Sequence, residues 1–157
     1  MKKILLISFS LAALLAPGSG HAAEKTYTVL LAGGDENNAI KVWLSPDGRE
    51  YVIDSVVPLE VGGQVCRHPG EAETELVCDA PSIAGFEVNA GGGDDRVHVA
   101  GTVIVPVTMR GGAGDDVLIG GPGQDVLDGG TGSNVVIQDG GAARVAGQHD
   151  EHRLPDL

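Results

Sequence analysis

Acidic and amide side chains recur at a fixed spacing among glycines in residues 111–137. This segment consists of three consecutive nine-residue units with the pattern G-G-x-G-x-[D/N]-x-U-x, where U is a large aliphatic residue. A fourth unit, residues 90–98, fits with Ala90 in place of the first glycine. Oxygen-bearing side chains at such regular spacing are suited to binding a hard cation. The sixth positions of the four units hold Asp95, Asp116, Asp125 and Asn134.

The other positions of the unit predict how these oxygens are arranged. Glycines permit a tight turn with positive φ and leave room for main-chain carbonyls to point inward. The aliphatic residue and its two neighbours form a minimal strand, whose inward side chain stacks on those of neighbouring units. Two units complete one coil, so alternate turns lie on the same edge and offer calcium the oxygen ligands it prefers. The predicted inward side chains are Val97, Leu118, Leu127 and Val136.

The alternative interpretation of this segment is a disordered, glycine-rich acidic linker. Composition favours it, because 25 of the 157 residues are glycine and only 3% are aromatic. A linker, however, has no reason to place an aliphatic residue at every eighth position of a nine-residue repeat. The period therefore predicts an ordered solenoid.

Residues 90–137 resemble the hemolysin-type calcium-binding repeats of the RTX family. The resemblance implies a parallel β-roll, with calcium between turns that are two units apart. If the longer segment 99–110 occupies one half-coil, the turns at 90–95, 111–116 and 129–134 share one edge.

On this resemblance, Asp95 and Asp116 flank one calcium ion, and Asp116 and Asn134 flank a weaker second one. Asp125 belongs to the opposite edge, where its partner is undefined. Asp94 and Asp115, at the fifth position, face solvent. Main-chain carbonyls complete the coordination, and they come from Gly91, Gly111, Gly120 and Gly129.

Two departures from the family limit what the resemblance carries over. RTX proteins typically leave the cell by a route read at the C-terminus and contain few cysteines, whereas this chain has an N-terminal signal and a cysteine pair. It also has no recognisable toxin, protease or lipase region, and neither a G-x-S-x-G nor an H-E-x-x-H motif. We therefore expect ion binding alone, without enzymatic activity.

The first 22 residues have the features of a secretory signal peptide. A basic start is followed by the apolar segment 4–16 and by small residues up to a cleavage site after Ala22. Removal of this segment takes away Lys2 and Lys3 but no acid, which makes the net charge still more negative than −12. We expect an extracellular or periplasmic protein with no integral membrane segment after cleavage, calcium as partner, and no binding to nucleic acid.

The two cysteines, Cys66 and Cys78, lie twelve positions apart in a chain that carries an export signal. Pro69-Gly70 between them predicts a turn, so a disulfide across a hairpin is the favoured interpretation. A catalytic or metal-bound thiol is the alternative, but no Cys-x-x-Cys or Cys/His spacing supports it.

The segment before the repeats predicts further strands. Residues 27–31, 40–44 and 51–53 have strand patterns, and Ser45-Pro46-Asp47-Gly48 predicts a turn. Residues 33–41 form a degenerate unit that lacks the fourth glycine, and we do not expect it to bind calcium.

The predicted fold class is all-β, with a C-terminal parallel β-roll after hairpins and degenerate β-rungs that include one disulfide. The predicted function is that of an exported calcium-binding protein. The first alternative is a calcium-stiffened adhesin or matrix module whose N-terminal region contacts an unknown partner. A secreted enzyme is the less favoured alternative, since a motif search misses a catalytic site whose residues are dispersed along the chain. The predicted regions are the signal peptide 1–22, a β-rich region 23–88, calcium-binding repeats 89–140 and a polar tail 141–157.

Overall fold

A computed structural model describes residues 4–10, 27–60 and 65–146, which form two seven-stranded sheets. These residues contain one short 3-10 turn, Ala80–Ser82, and no α-helix. None of the described segments is a helix that is long and apolar enough to span a membrane. The predicted cleavage site after Ala22 and residues 147–157 of the predicted tail lie outside the described residues.

The strands cover most of the described chain. In chain order they are β1 (Ile4–Ser10), β2 (Tyr27–Ala32), β3 (Ala39–Leu44), β4 (Glu50–Ser55), β5 (Leu59–Glu60), β6 (Cys66–Arg67), β7 (Glu75–Asp79), β8 (Ile83–Gly92), β9 (Arg96–Val99), β10 (Val107–Ala113), β11 (Val117–Gly120), β12 (Gln124–Thr131), β13 (Val135–Gln138) and β14 (Ala142–Ala146). The first sheet has the order β14-β12-β10-β8-β2-β1-β5. The second has the order β13-β11-β9-β3-β4-β7-β6.

From β8 onward the chain alternates between the two sheets, and successive strands within each sheet pair in parallel. The register places equivalent repeat positions side by side. Leu118 on β11, for example, pairs with Val97 on one side and Val136 on the other. Strands β2 and β3 join the same arrangement, because they pair in parallel with β8 and β9. Residues 27–44 therefore form a first layer, and residues 33–38 form its turn.

The segment between β3 and β8 adds antiparallel strands to the second sheet, and β1 pairs antiparallel with β2 in the first, so both sheets are mixed. Strand β4 pairs with β3, β7 with β4, and β6 with β7, all antiparallel. The predicted turn at Ser45–Gly48 is present, with φ of +72° at Gly48. The predicted disulfide between Cys66 and Cys78 is confirmed and joins β6 to β7.

Aliphatic side chains between the sheets form the core. The predicted inward residues Val97, Leu118 and Leu127 are fully buried, and Val136 in the last repeat is 7% exposed. The longer connection between β9 and β10 also contributes Val103 and Val105, both buried. The twelve residues 99–110 thus replace a nine-residue unit by burying additional side chains, without adding a glycine-rich turn of the repeat type.

The chain continues the stack beyond the repeats. The predicted polar tail begins with β14, which pairs in parallel with β12 and places Val145 opposite Leu127. Val145 is thus at the eighth position of a unit that starts at Gln138, although that unit has lost its first glycine and has Ala143 at the sixth position. The loss of both motif residues hid this strand from the sequence pattern.

The disulfide is expected to stabilise the fold without affecting the repeats. Closing a loop of this length contributes about 3 kcal/mol on the chain-entropy model. The double variant Cys66→Ala/Cys78→Ala should therefore lose about 3 kcal/mol in urea-induced unfolding, with no change in the calcium binding that the sequence predicts for the repeats. The bond lies at the β6–β7 end of the second sheet, several strands away from β11 and β13. An unchanged urea midpoint would show that the disulfide does not contribute to the free energy of unfolding.

Candidate metal centre

Four turns lie on one edge of the structure, between β2 and β3, β8 and β9, β10 and β11, and β12 and β13. Their sixth-position residues form a column that we call the turn column: Asn38, Asp95, Asp116 and Asn134. Their relative exposures are 2%, 2%, 1% and 7%. Buried side chains of this type are rare unless they are paired or coordinate a metal. The structure thus brings together three of the predicted ligands and adds Asn38, which the sequence did not assign to the site.

Hydrogen bonds between layers hold the turn column in register. The main-chain N–H of Asn38 donates to Oδ1 of Asp95 at 2.6 Å. The N–H of Asp95 donates to Oδ1 of Asp116 at 2.9 Å, and the N–H of Asp116 donates to Oδ1 of Asn134 at 2.9 Å. Each carboxylate therefore uses one oxygen to accept a hydrogen bond from the main chain of the preceding layer.

A second ladder runs along the solvent side of the same turns. The N–H of Asp94 donates to Oδ1 of Asn37, and that of Asp115 donates to Oδ1 of Asp94, both at 2.9 Å. The N–H of Ser133 donates to Oδ1 of Asp115 at 2.8 Å. Asp94 and Asp115 are exposed, as predicted, and they link layers as well as adding negative charge.

The other carboxylate oxygens of the turn column have no hydrogen-bond donor. Oδ2 of Asp95 and Oδ2 of Asp116 are both buried and unpaired. A Cβ atom placed on Gly111 would lie 2.2 Å from Oδ2 of Asp116 and 2.7 Å from the carbonyl oxygen of Gly129. Oδ2 of Asp116 and the carbonyl oxygen of Gly129 thus border the same space, which stays open only because residue 111 is a glycine. A buried oxygen without a partner costs about 1–3 kcal/mol, so this arrangement fits a bound cation.

The electrostatics of the two acids agree with this fit. Burial raises the pKa of Asp95, hydrogen bonds from Asn38 lower it, and the nearby charges of Asp116 and Asp94 raise it. Burial also raises the pKa of Asp116, with added repulsion from Asp94 and Asp115. The charged forms are thus disfavoured in the folded protein, and a cation between the layers would reverse this preference.

Carboxylates alone do not form the site. Within the described ranges, no three His, Cys, Asp or Glu side chains converge as ligands for a metal. A cation held at this edge would therefore need main-chain carbonyl oxygens as well as carboxylates. Among the predicted carbonyls, that of Gly129 lies beside Asp116, whereas that of Gly91 lies against the backbone of Gly112.

Glycine at the second and fourth positions is required by the turn itself. In the turns at 90–95, 111–116 and 129–134 the φ angles at these positions are positive, and Gly112 and Gly114 have values of +114° and +132°. A Cβ on Gly112 would lie 1.9 Å from the carbonyl oxygen of Gly91, and one on Gly130 would lie 2.1 Å from that of Gly112. Successive main chains are thus too close for any side chain between them.

The turn that contains Asp125 lies on the opposite edge and differs from the others. Gly121 and Gly123 do not have positive φ. Asp125 is buried, and both its oxygens have donors: Oδ1 accepts from the N–H of Val107 at 2.9 Å, and Oδ2 accepts from Nε2 of Gln138 at 3.1 Å.

The structure therefore supplies the partners of Asp125 that the sequence left undefined. The predicted ligand Gly120 accepts a hydrogen bond from the N–H of Asp139 at 3.1 Å. Gln138 had no signal in the sequence, because it occupies a position where the repeat calls for glycine.

Residues 108–136 match the family model described as the RTX calcium-binding nonapeptide repeat (4 copies). The match confirms the resemblance on that segment, which is well short of half of the chain. RTX nonapeptide repeats bind Ca²⁺, and such repeats are typically extracellular. No curated protein and no solved structure gave a significant match to the chain.

Gly112→Ala should destabilise the protein far more than Gly48→Ala. Both positions have positive φ, which costs an alanine about 1–2 kcal/mol. A Cβ at Gly48 meets nothing within 4 Å, whereas one at Gly112 collides with a carbonyl. We expect urea-induced unfolding to show a loss of about 1 kcal/mol for Gly48→Ala and about 3 kcal/mol or more for Gly112→Ala. Equal losses would contradict the close stacking of the turns.

Stability in chelator should decrease as pH rises. Burial raises the pKa of Asp125, and hydrogen bonds from Gln138 and Val107 lower it less. The folded protein therefore holds this proton more tightly than the unfolded chain, so the free energy of unfolding falls as pH rises from the ordinary Asp value of about 3.9 through the raised pKa. Thermal unfolding between about pH 4 and pH 7 should show a weaker dependence in Asp125→Asn. An identical dependence in both proteins would contradict this assignment.

Proposed function

We propose that the chain is an exported, non-enzymatic calcium-binding protein whose turn column binds Ca²⁺ and thereby orders a β-roll. One observation supports this most strongly. Oδ2 of Asp116 is buried without a donor and faces the same space as the carbonyl oxygen of Gly129. Two oxygens in this position repel each other unless a cation lies between them.

The chemistry of the ligands favours calcium over other metals. The candidate ligands are carboxylate and main-chain oxygens, which suit hard cations. Mg²⁺ demands near-octahedral geometry and keeps several waters, whereas Ca²⁺ accepts irregular sets of about six to eight oxygens. A buried set of carboxylate and main-chain oxygens therefore fits Ca²⁺ better.

We assign the central role to Asp116, because it contacts the layers on both sides. Its Oδ1 accepts from Asp95 and its N–H donates to Asn134, so an ion at Oδ2 would hold three layers together. Asp95 offers a second unpaired oxygen. The carbonyls of Gly111 and Gly129 complete the proposed set. Asp125 and Gly120 are omitted from it, since their oxygens already have donors.

Calcium in this proposal is a component of the fold. The parallel alternation of β8 to β14 between two sheets supports a β-roll, in which each short strand contributes little to the core. Binding to the folded form alone adds about 2.7 kcal/mol at a hundredfold excess over Kd. Extracellular modules typically have Kd values of about 10⁻⁴–10⁻³ M, so the repeats would order outside the cell.

Three features support export. The first 22 residues have the pattern of a signal peptide. The Cys66–Cys78 disulfide requires an oxidising compartment. The repeats themselves are of a type that is typically extracellular. Strand β1 lies within the predicted signal peptide and pairs with β2 and β5. Cleavage after Ala22 would remove β1 and with it these two pairings, and the cleavage itself stays a prediction.

Calorimetric titration of the purified protein tests the proposal, with Asp115→Ala as the matched control for Asp116→Ala. Both variants remove one carboxylate from the same turn, but Asp115 is exposed and Asp116 is buried. We expect Asp116→Ala to weaken calcium binding at least about tenfold, equivalent to about 1.4 kcal/mol, and Asp115→Ala to retain most of the affinity.

Circular dichroism of the same samples should show a gain of β signal on adding calcium to chelated protein. Wild-type protein that binds no calcium at millimolar concentration would refute the proposal. Equal affinities of Asp116→Ala and wild type would refute the assignment of the central ligand.

A further inference from the structure

Two side-chain amides lie inside cages of oxygen atoms. The first belongs to Asn38, whose Nδ2 lies 2.8 Å from the carbonyl oxygen of Glu36, 3.0 Å from Oδ1 of Asp95 and 3.1 Å from the carbonyl oxygen of Ala90. A primary amide has two N–H bonds, yet three oxygens surround this nitrogen. A cation could be coordinated by the same three oxygens.

The second amide, that of Gln138, has the same kind of surroundings on the opposite edge. Its Nε2 donates to the carbonyl oxygens of Gly121 and Gly140 and lies 3.1 Å from Oδ2 of Asp125. Both cages thus combine two main-chain carbonyls with one carboxylate from the neighbouring layer. The amide oxygens of Asn38 and Gln138 have no donor, so the contacts of the nitrogens fix the orientation of both side chains.

The cage around Asn38 corresponds position by position to the space beside Asp116. A Cβ on Gly33 would lie 2.6 Å from Nδ2 of Asn38 and 2.0 Å from the carbonyl oxygen of Ala90. On Gly111, the equivalent first glycine, the neighbours are Oδ2 of Asp116 and the carbonyl oxygen of Gly129. In one layer an N–H group faces the carbonyl, and in the other a carboxylate oxygen does.

The positions of the two amides in the stack explain why an amide can take the place of a cation there. Asn38 is the first residue of the turn column, so it has a carboxylate on one side only. Asp125 is the only sixth-position acid described on its edge, because Val107 and Ala143 lie beside it in the adjacent layers. The amide of Gln138 leaves neither oxygen of Asp125 unpaired. The amide of Asn38 fills the cage at the end of the turn column, whereas Asp95 and Asp116 each keep one unpaired oxygen.

We infer that Asn38 and Gln138 substitute for calcium, each donating N–H bonds into a cage that would otherwise need a cation. This inference rests on the proposed function for the central site and specifies which layers bind calcium. Calcium is confined to the layers around Asp95 and Asp116, and the two capped turns are ordered without it. These turns then provide fixed ends between which the calcium-dependent turns assemble.

Exchange of amide and carboxylate tests the inference, because it changes the charge of the cage with little change in shape. Asn38→Asp and Gln138→Glu each place an oxygen where the nitrogen lies, and each should create a site for one further calcium ion. Asn37→Asp and Gln124→Glu are the matched controls, since they add the same charge at exposed neighbouring positions. We expect the controls to bind as many ions as the wild type.

Native mass spectrometry and calorimetry would count the ions bound by each full-length variant. In chelator, Asn38→Asp and Gln138→Glu should melt below their controls, and calcium should abolish the difference. The reverse exchange, Asp116→Asn, should bind at least one ion fewer and melt higher in chelator than Asp116→Ala. This second variant decides the case if Asn38→Asp does not fold.

The outcomes separate this inference from the proposed function. Wild-type protein that binds no calcium, together with an Asn38→Asp variant that does, would refute the proposed function and support the inference. Wild-type protein that binds calcium, together with Asn38→Asp and Gln138→Glu variants that bind no additional ion and melt as their controls do, would refute the inference and leave the function intact.

Discussion

Along the turn column, the main chains of successive layers approach so closely that only glycine fits between them, and this closeness brings oxygen atoms against one another. The carbonyl oxygen of Gly129 and Oδ2 of Asp116 both border the space that a Cβ on Gly111 would fill. Stacking the layers aligns the strands and buries their aliphatic side chains. The same stacking leaves carboxylate oxygens without donors, so whatever neutralises them decides whether the central layers are stable.

On the proposed function, the two halves of the molecule differ in how much they depend on that neutralisation. The N-terminal half has antiparallel strand pairs, a disulfide, and an edge contact between the rings of Tyr51 and Phe86 with centroids 5.2 Å apart. The repeats have strands as short as four residues, and each unit buries one aliphatic side chain such as Leu118. On the proposed function, so little apolar burial per layer does not by itself offset the conformational entropy lost on folding, and calcium supplies the rest. The first half thus forms a base on which the repeats can stack.

The nine-residue period and the family resemblance together predict much of this arrangement. The resemblance places Asp95, Asp116 and Asn134 on one edge and Asp125 on the other, and the period predicts the inward side chains. These predictions succeed because equivalent positions of a regular repeat become neighbours in space. The two cysteines likewise had one reasonable partner each.

The remaining features depend on contacts that no short pattern encodes. Asn38 and Gln138 act through side chains that reach into a neighbouring layer, and Gln138 lies where the motif requires glycine. Strand β14 lost both motif residues, so the repeat pattern ended too early. The parallel pairing of β3 with β9 spans a long insertion, and nothing local in the sequence indicates such a partner.

The most direct test is a crystal structure of the protein grown in millimolar calcium, with anomalous scattering used to locate the ions. We expect an anomalous peak about 2.3–2.6 Å from both Oδ2 of Asp116 and the carbonyl oxygen of Gly129, and none in the cages of Asn38 and Gln138. An ordered turn column in which a protein donor or water satisfies Oδ2 of Asp116, with no ion nearby, would contradict the central role of calcium in this fold.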